Sequence, residues 1–200
     1  MRVALVDYGA GNLQSVRNAL KAAGADDILV TADPDAVRAA DRIVLPGVGA
    51  FAHCMGALSG IDGMVDALNE ATGPAAKPFL GICVGMQLMA QAGEEHGSHA
   101  GLGWVNGRVR MMDGSTGVKI PHMGWNDVVP TEAHTLIEPG EAYFLHSFAY
   151  DGDDVIATTE HGGAVVAAIG RDNRIGVQFH PEKSQKYGLA MLTRFLKWKP

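Results

Sequence analysis

The stretch FLGICVGMQ, Phe79 to Gln87, carries a short apolar run into a helical pattern through a single cysteine flanked by glycines. Pro78, Phe79, Leu80 and Ile82, bounded by Pro74 and Gly85, read as a buried strand of a parallel sheet. MQLMAQA, Met86 to Ala92, reads as a helix. Gly81, Cys83 and Gly85 therefore match G-x-nucleophile-x-G at a strand-to-helix junction. On so sharp a turn the central residue stands above the end of the sheet, and the glycines let strand and helix approach without Cβ clashes. The amino end of the helix, with unpaired N–H groups and a positive dipole, favours a thiolate at Cys83.

Working outward, the amino-terminal half alternates strand and helix. Val3 to Val6 is an apolar run, followed by the loop YGAGN and by Leu13, Val16 and Leu20 at helical spacing, with Asn12 placed to cap the helix. Gly9 and Gly11 do not make a dinucleotide fingerprint, because position 14 is Gln. A second strand at Ile28 to Val30, a helix from about Asp35 and a third strand at Ile43 to Leu45 continue the pattern. The alternation predicts a doubly wound α/β fold, a mostly parallel sheet with helices on both faces and right-handed crossovers. The third strand leads into a glycine-rich loop, Pro46 to Phe51, at the carboxyl ends of the strands, where ligands bind in such sheets. An oxyanion hole needs two convergent backbone N–H groups. Val84, after the cysteine, offers one, and the PGVG loop offers the other at Val48, where glycines on both sides permit a peptide flip.

Beyond Trp104 the chain turns β-rich. Trp104 to Val109, Asn126 to Val129, Tyr143 to Phe148, Ala164 to Ile169 and Ile175 to Phe179 read as strands, mostly antiparallel additions to the sheet. The last runs into His180, Pro181 and Glu182. A residue before proline is held extended, so His180 and Glu182 are expected on one side of the chain, with the carboxylate orienting the imidazole. Cys83, His180 and Glu182 then form a nucleophile, base and orienting acid. The final helix, Ser184 to Trp198, places Leu189, Leu192 and Leu196 on a buried face.

Composition narrows the function classes. The 200 residues, 47% hydrophobic, suffice for one substantial core, and no linker divides them, so a single domain over 1–200 is expected. A net charge of −6 leaves no basic stripe for nucleic acid. Two cysteines, Cys54 and Cys83, and no leader or long apolar span point to the cytoplasm and away from membranes. The scattered histidines show no metal-ligand spacing, and no cofactor is implied.

GICVGMQ with HPE downstream resembles the class I (triad) glutamine amidotransferases over nearly the whole chain. DYGAGN at 7–12, PGVGAF at 46–51, PHMGWN at 121–126 and HPEKS at 180–184 are together similar to the glutaminase subunits of imidazole glycerol phosphate synthase. The resemblance implies a flavodoxin-like glutaminase fold and hydrolysis of L-glutamine through a cysteine thioester. It also implies transfer of ammonia, in histidine biosynthesis, to a separate cyclase (β/α)8-barrel chain in a 1:1 heterodimer. By the same resemblance, Gln87 and either Glu95 or its neighbour Glu94 contact the glutamine, with Gly49, His146, Ser147 and Phe148 lining the pocket. Phe148 stands where family members often carry Tyr. For the partner surface, PHMGWN offers the apolar Met123 and Trp125, with Lys183 as a charge nearby; the other reading of Trp125 is a core residue. Two alternatives stay open: a glutaminase subunit of another amidotransferase, such as the vitamin B6 synthase type, and a regulatory module that keeps the fold without turnover.

Overall fold

The computed structural model describes residues 1–200. In chain order the elements are β1 (Arg2–Val6), α1 (Leu13–Ala22), β2 (Asp27–Thr31), α2 (Pro34–Ala39), β3 (Arg42–Gly47), α3 (Phe51–Ser59), α4 (Met64–Thr72), β4 (Phe79–Cys83) and α5 (Val84–Gln87). There follow β5 (Ala92–Gly93), β6 (His99–Ala100), β7 (Gly107–Met111), β8 (His122–Pro130), β9 (Gly140–His146), β10 (Phe148–Gly152), β11 (Val155–Glu160), β12 (Ala164–Arg171), β13 (Arg174–Val177) and α6 (Gln185–Lys197). A large sheet runs β2-β1-β3-β4-β13-β12-β11-β8-β9, and a small one runs β10-β7-β5-β6.

From β2 to β13 the pairings of the large sheet are parallel, and from β13 to β9 they are antiparallel. The parallel half dictates where the helices go. The chain moves one way from β1 to β2 and the other way from β2 to β3 and on to β4, so right-handed crossovers put α1 on the face opposite α2, α3 and α4. The packing agrees: α1 lies against α6, while α2 and α3 lie against α4. The central strands are covered on both sides, which is why β1, β3 and β4 read as unbroken apolar runs. Asn12 caps α1 as its side chain predicts, accepting from the Ser15 N–H at 3.2 Å.

Several boundaries differ from the sequence reading. Pro46 and Gly47 finish β3, pairing with Ile82 and Cys83, and do not open the loop, while Phe51 already belongs to α3. The helix expected over Met86 to Ala92 is one turn, Val84–Gln87. The carbonyls of Leu88, Met89 and Ala90 accept instead from Leu102, Trp104 and Gly103, and Ala92 starts a strand. Competition from this neighbouring loop ends the helix. Trp104 lies outside β7 because its ring is claimed by the core, edge-on to Phe79 at 4.9 Å with its indole N–H on Asn69. The run Tyr143 to Phe148 is broken at Ser147, where the chain leaves the large sheet as β9 and enters the small one as β10. The last strand stops at Val177, short of Phe179, and β5, β6 and β11 were not foreseen. In α6, Met191, Leu192, Phe195 and Leu196 are buried, whereas Leu189 is only partly so.

The turn from β4 to α5 is packed to contact. A Cβ on Gly85 would stand 1.9 Å from the Leu45 carbonyl oxygen, and one on Gly81 would stand 2.6 Å from the Gly85 oxygen. Gly24, with φ +105°, has nothing within 4 Å. Gly85→Ala is therefore expected to cost about 3 kcal/mol or more from overpacking against backbone. Gly24→Ala is expected to cost only the left-handed penalty of about 1–2 kcal/mol. Urea unfolding of the two variants measures the difference.

Candidate active site

Because β3, β4 and β13 are adjacent and parallel, their carboxyl ends deliver three segments to one place. These are the Val48–Gly49 loop, the Cys83 turn and the His180 segment. They close a cavity of about 240 Å³ lined by Val48, Gly49, Cys83, Val84, Gln87, Glu95, Leu145, His146, Ser147, Phe148, His180 and Lys183. Every pocket residue expected from the sequence lines it, apart from Glu182, which stands behind His180, and Met123 and Trp125, which lie outside.

Cys83 has φ 54° and ψ −112°, a conformation that costs a non-glycine residue on the order of 1–3 kcal/mol. The strain falls on the cysteine itself, and the flanking glycines serve close approach. The helix behind it is a single turn, so the expected dipole support for a thiolate is much reduced. Charge comes from the imidazole instead. His180, only 3% exposed, is within hydrogen-bonding reach of Cys83, and its Nδ1 lies 2.8 Å from Glu182 Oε1. Burial alone lowers the imidazole pKa, but the hydrogen bonds to Cys83 and Glu182 and their negative charge outweigh it and raise the value to about 9. Glu182 Oε2 is buried with no partner, so the imidazole is the one group that its carboxylate serves. His180 is extended as a residue before proline should be, with φ −99° and ψ 97°. The carboxylate, however, reaches the ring through a 3-10 turn at Pro181–Lys183 and not along an extended strand, as the spacing had predicted.

The other lining groups are held firmly. Glu95 Oε2 accepts the Phe51 N–H at 2.9 Å, the first amide of α3, which has no side-chain cap of its own. Glu94 points away, paired with Arg108 and Arg110 on the surface. Geometry thus places Glu95, of the two, at the cavity. Gln87 Nε2 donates to the Phe148 carbonyl and to Gln178 Oε1, each at 3.0 Å. Gln178 was missed in the sequence, and its Nε2 lies 3.7 Å from Cys83 Sγ. Its position before His180 in VQFHPE, on the same side of an extended segment, was the available signal. Leu145 was also missed; its carbonyl lies 3.9 Å from Cys83 Sγ. Phe148 engages Gln87 and His146 through its carbonyl, a contact that needs no hydroxyl on the ring.

His146 is the near end of a buried chain. Its Nδ1 donates to the Phe148 carbonyl at 2.9 Å, and its Nε2 accepts from His122 Nδ1 at 3.0 Å. His122 Nε2 in turn accepts from the Asn126 amide at 3.0 Å. These bonds fix both rings as neutral tautomers. Burial, reinforced by the neighbouring histidines, lowers each pKa to about 4. No group of His, Cys, Asp and Glu is arranged to hold a metal.

Outside the cavity, Met123 and Trp125 share one face of β8, opposite Leu145 and Tyr143 of β9. Met123 is 65% and Trp125 48% exposed, which excludes the core reading of the tryptophan. Lys183 lies over the Tyr143 ring at 5.8 Å.

With this geometry in view, the comparisons with known proteins agree. Residues 4–198 match the family model described as glutamine amidotransferase class-I. The chain is 59% identical over 205 residues to imidazole glycerol phosphate synthase subunit HisH of Zymomonas mobilis, covering 99% of this chain and 96% of that one. The chain belongs to the class-I glutamine amidotransferases. A second HisH relative of this amidotransferase, from Rhodopseudomonas palustris, is 51% identical, with both chains fully covered. Solved structures carry the same fold at low identity. A crystal structure of a glutamine amidotransferase aligns with TM-score 0.75 and 16% identity, covering 97% of each chain. PurLQS from Thermotoga maritima aligns with TM-score 0.72 and 19% identity over 98% of this chain and 97% of that one.

The two histidines with lowered pKa have a consequence for stability. The unfolded amidotransferase takes up protons below about pH 6.5 that folded His122 and His146 refuse until about pH 4. Stability therefore rises with pH across that window and is lost as pH falls through it. His122→Gln, which keeps a donor and an acceptor but does not titrate, is expected to flatten the slope of the urea midpoint between pH 4 and 6.5.

Proposed function

We propose that this chain is the glutaminase subunit of an imidazole glycerol phosphate synthase, with Cys83, His180 and Glu182 as its working triad. The observation that carries the reading is the buried His180 ring, bridging the Cys83 thiol and the Glu182 carboxylate at the floor of the cavity. The Cys83 thiolate attacks the side-chain carbonyl carbon of L-glutamine, and the electrons of the carbonyl bond move onto oxygen. The resulting oxyanion is held by the Val84 N–H, in the first turn of α5, and by the Val48 N–H. Neither Val48 nor Gly49 gives its N–H to another backbone group. Protonated His180 supplies the leaving nitrogen with a proton, ammonia departs, and a thioester remains. Water, deprotonated by His180, then attacks the thioester, releasing glutamate and restoring the thiolate.

Glu95 has one oxygen on Phe51 and the other available for the substrate amino group, so a free amino acid is preferred to a peptide amide. Gln87 acts mainly as a strut for the Phe148 carbonyl, and His146, neutral and fully engaged, shapes the pocket without titrating. Gly49 and Ser147 complete the wall. A single domain over residues 1–200 is supported by the buried cluster of 52 residues, which takes in both halves of the chain.

The ammonia is passed to a separate cyclase barrel, in a 1:1 complex in the cytoplasm. The face formed by Met123, Trp125 and Leu145, with Lys183 at its edge, is the apolar surface beside the cavity mouth and suits that partner. Against the vitamin B6 synthase alternative stand the HisH relatives at 59% and 51% identity. Against a silent regulatory module stands a complete triad. No helix is long and apolar enough to cross a membrane.

His180→Ala is expected to abolish glutamate release by the complex, and Glu182→Gln to retain about two decades more activity, since orienting a base contributes less than being one. Glutamate 182 also raises the imidazole pKa, so the alkaline limb of kcat/KM, near pH 9 in the native chain, moves to lower pH in Glu182→Gln. Near-native turnover in His180→Ala would exclude the triad. The isolated chain is expected to hydrolyse glutamine slowly, and the cyclase barrel with its nucleotide ligand to accelerate it at least ~hundredfold, the contribution of one oxyanion donor. Trp125→Ala is expected to weaken association, measured by titration calorimetry, and to leave the urea midpoint of the free chain in place.

A further inference from the structure

Cys54 takes no part in the triad, yet it is fully buried and its thiol is engaged. Its Sγ donates to the Val48 carbonyl at 3.3 Å, across the turn that joins β3 to α3. Two residues before Val48 there is a second anchor: the Tyr8 hydroxyl donates to the Pro46 carbonyl at 2.6 Å and lies within hydrogen-bonding reach of the Cys54 sulfur. Between the two anchored carbonyls lies the Gly47–Val48 peptide, whose carbonyl faces the end of β4, where Gly47 pairs with Cys83, and whose N–H is the proposed oxyanion donor. A flip of one peptide changes chiefly ψ of the residue before it and φ of the residue after it. With Pro46 and Val48 both pinned, this peptide can turn while its neighbours stay fixed. Any side chain at position 47 would block it, since a Cβ there stands 2.7 Å from the Gly85 nitrogen and 2.8 Å from the Tyr8 oxygen.

We propose that Cys54 is a positioning residue for glutamine hydrolysis: its thiol holds the Val48 carbonyl against α3 and so fixes one of the two pivots about which the Gly47–Val48 peptide turns its N–H to the oxyanion. The inference rests on the reading of Val48 as an oxyanion donor. A thiol is a weak donor, so its value lies in placement more than in stability. The thiol must keep its proton to donate, and burial, the largest influence, pushes the Cys54 pKa up, with the nearby Cys83 adding to the rise, against the lowering effect of Tyr8 and of the Val48 backbone. Tyr8 likewise stays a neutral hydroxyl, its pKa raised first by burial and then by Cys54. An aliphatic side chain would fill the same space in α3 but would release the carbonyl.

The test uses the complex with the cyclase barrel and its nucleotide ligand, and compares native chain, Cys54→Ala and Cys54→Ser. Two quantities are read: steady-state glutamate release, and the rate at which iodoacetamide alkylates Cys83. Alkylation forms a carbon–sulfur bond with loss of iodide and develops no oxyanion, so it reports the thiolate and its access alone. Cys54→Ala is expected to lower kcat about tenfold, part of what one oxyanion donor contributes, with KM within about twofold. Cys54→Ser, whose hydroxyl can donate to the same carbonyl, is expected to recover most of that loss. Alkylation of Cys83 is expected to proceed at the native rate in both variants. The proposal is overturned if Cys54→Ala keeps native kcat, if kcat and alkylation fall together, or if Cys54→Ser alkylates normally but regains no turnover. Failure of the triad reading is distinct: the native complex itself would then release no glutamate.

Discussion

The space between Gly85 and the Leu45 carbonyl is too narrow for a single carbon atom, and the site depends on that closeness. β3, β4 and α5 meet there backbone to backbone, with Gly47, Gly81 and Gly85 each facing main-chain atoms of a neighbouring segment. Such contact leaves the chain no other exit from β4 than the positive φ of Cys83. The strain on the order of 1–3 kcal/mol is borne by a core of buried apolar residues, against which a local penalty of that size is small. The same contact sets Val48 and Val84, from adjacent strand ends, beside the sulfur. The proposed nucleophile and both proposed oxyanion donors are thus positioned by one packing event.

Electrostatics come from side chains more than from secondary structure. A one-turn helix has little macrodipole to offer, and His180, with its raised pKa, is the positive group that stands beside Cys83 in its place. Its raised pKa depends on company that burial makes strong: water is excluded, so the hydrogen bonds that the ring donates to Cys83 and Glu182 are not screened. The same burial works in the opposite direction on His146 and His122, which have no carboxylate partner and stay neutral. Two kinds of histidine within one site are therefore distinguished by what stands behind each ring, a carboxylate in one case and a backbone carbonyl or another imidazole in the other.

How legible all this was in the sequence varies with the range of the forces involved. The parallel half was readable because strands covered on both faces must be apolar throughout, and the helices between them show their caps and their periodicity. That Cys83, His180 and Glu182 would come together was readable because HPE and GICVG each confine their residues locally, by proline and by glycine. What failed was whatever non-local hydrogen bonds decide. MQLMAQA has a helical pattern, yet the carbonyls of Leu88 to Ala90 are taken by residues 102–104, a choice made by a segment far along the chain. Ser147 gave no sign that a strand would change sheets beside it. Gln178 and Leu145 reach Cys83 from distant parts of the chain, whereas β11 carried a local signal in the four β-branched residues of VIATTE.

The exposed face and the cavity are not separate features of the molecule. Leu145 opposes Met123 on the face, lines the cavity, and turns its carbonyl towards Cys83 Sγ. Along the same strands, His122 connects β8 to His146 and so to the Phe148 carbonyl that Gln87 holds. A body seated on Met123 and Trp125 therefore presses on residues that touch the thiol and the pocket wall directly. Contact alone is not coupling; a second arrangement of some element is needed for a load on the face to select. The rigid packing around Gly85 leaves the triad no such freedom. On the proposed reading the Gly47–Val48 peptide, lying between two anchored carbonyls, is where it remains, and control of the rate then falls to a group that makes no contact with the leaving nitrogen.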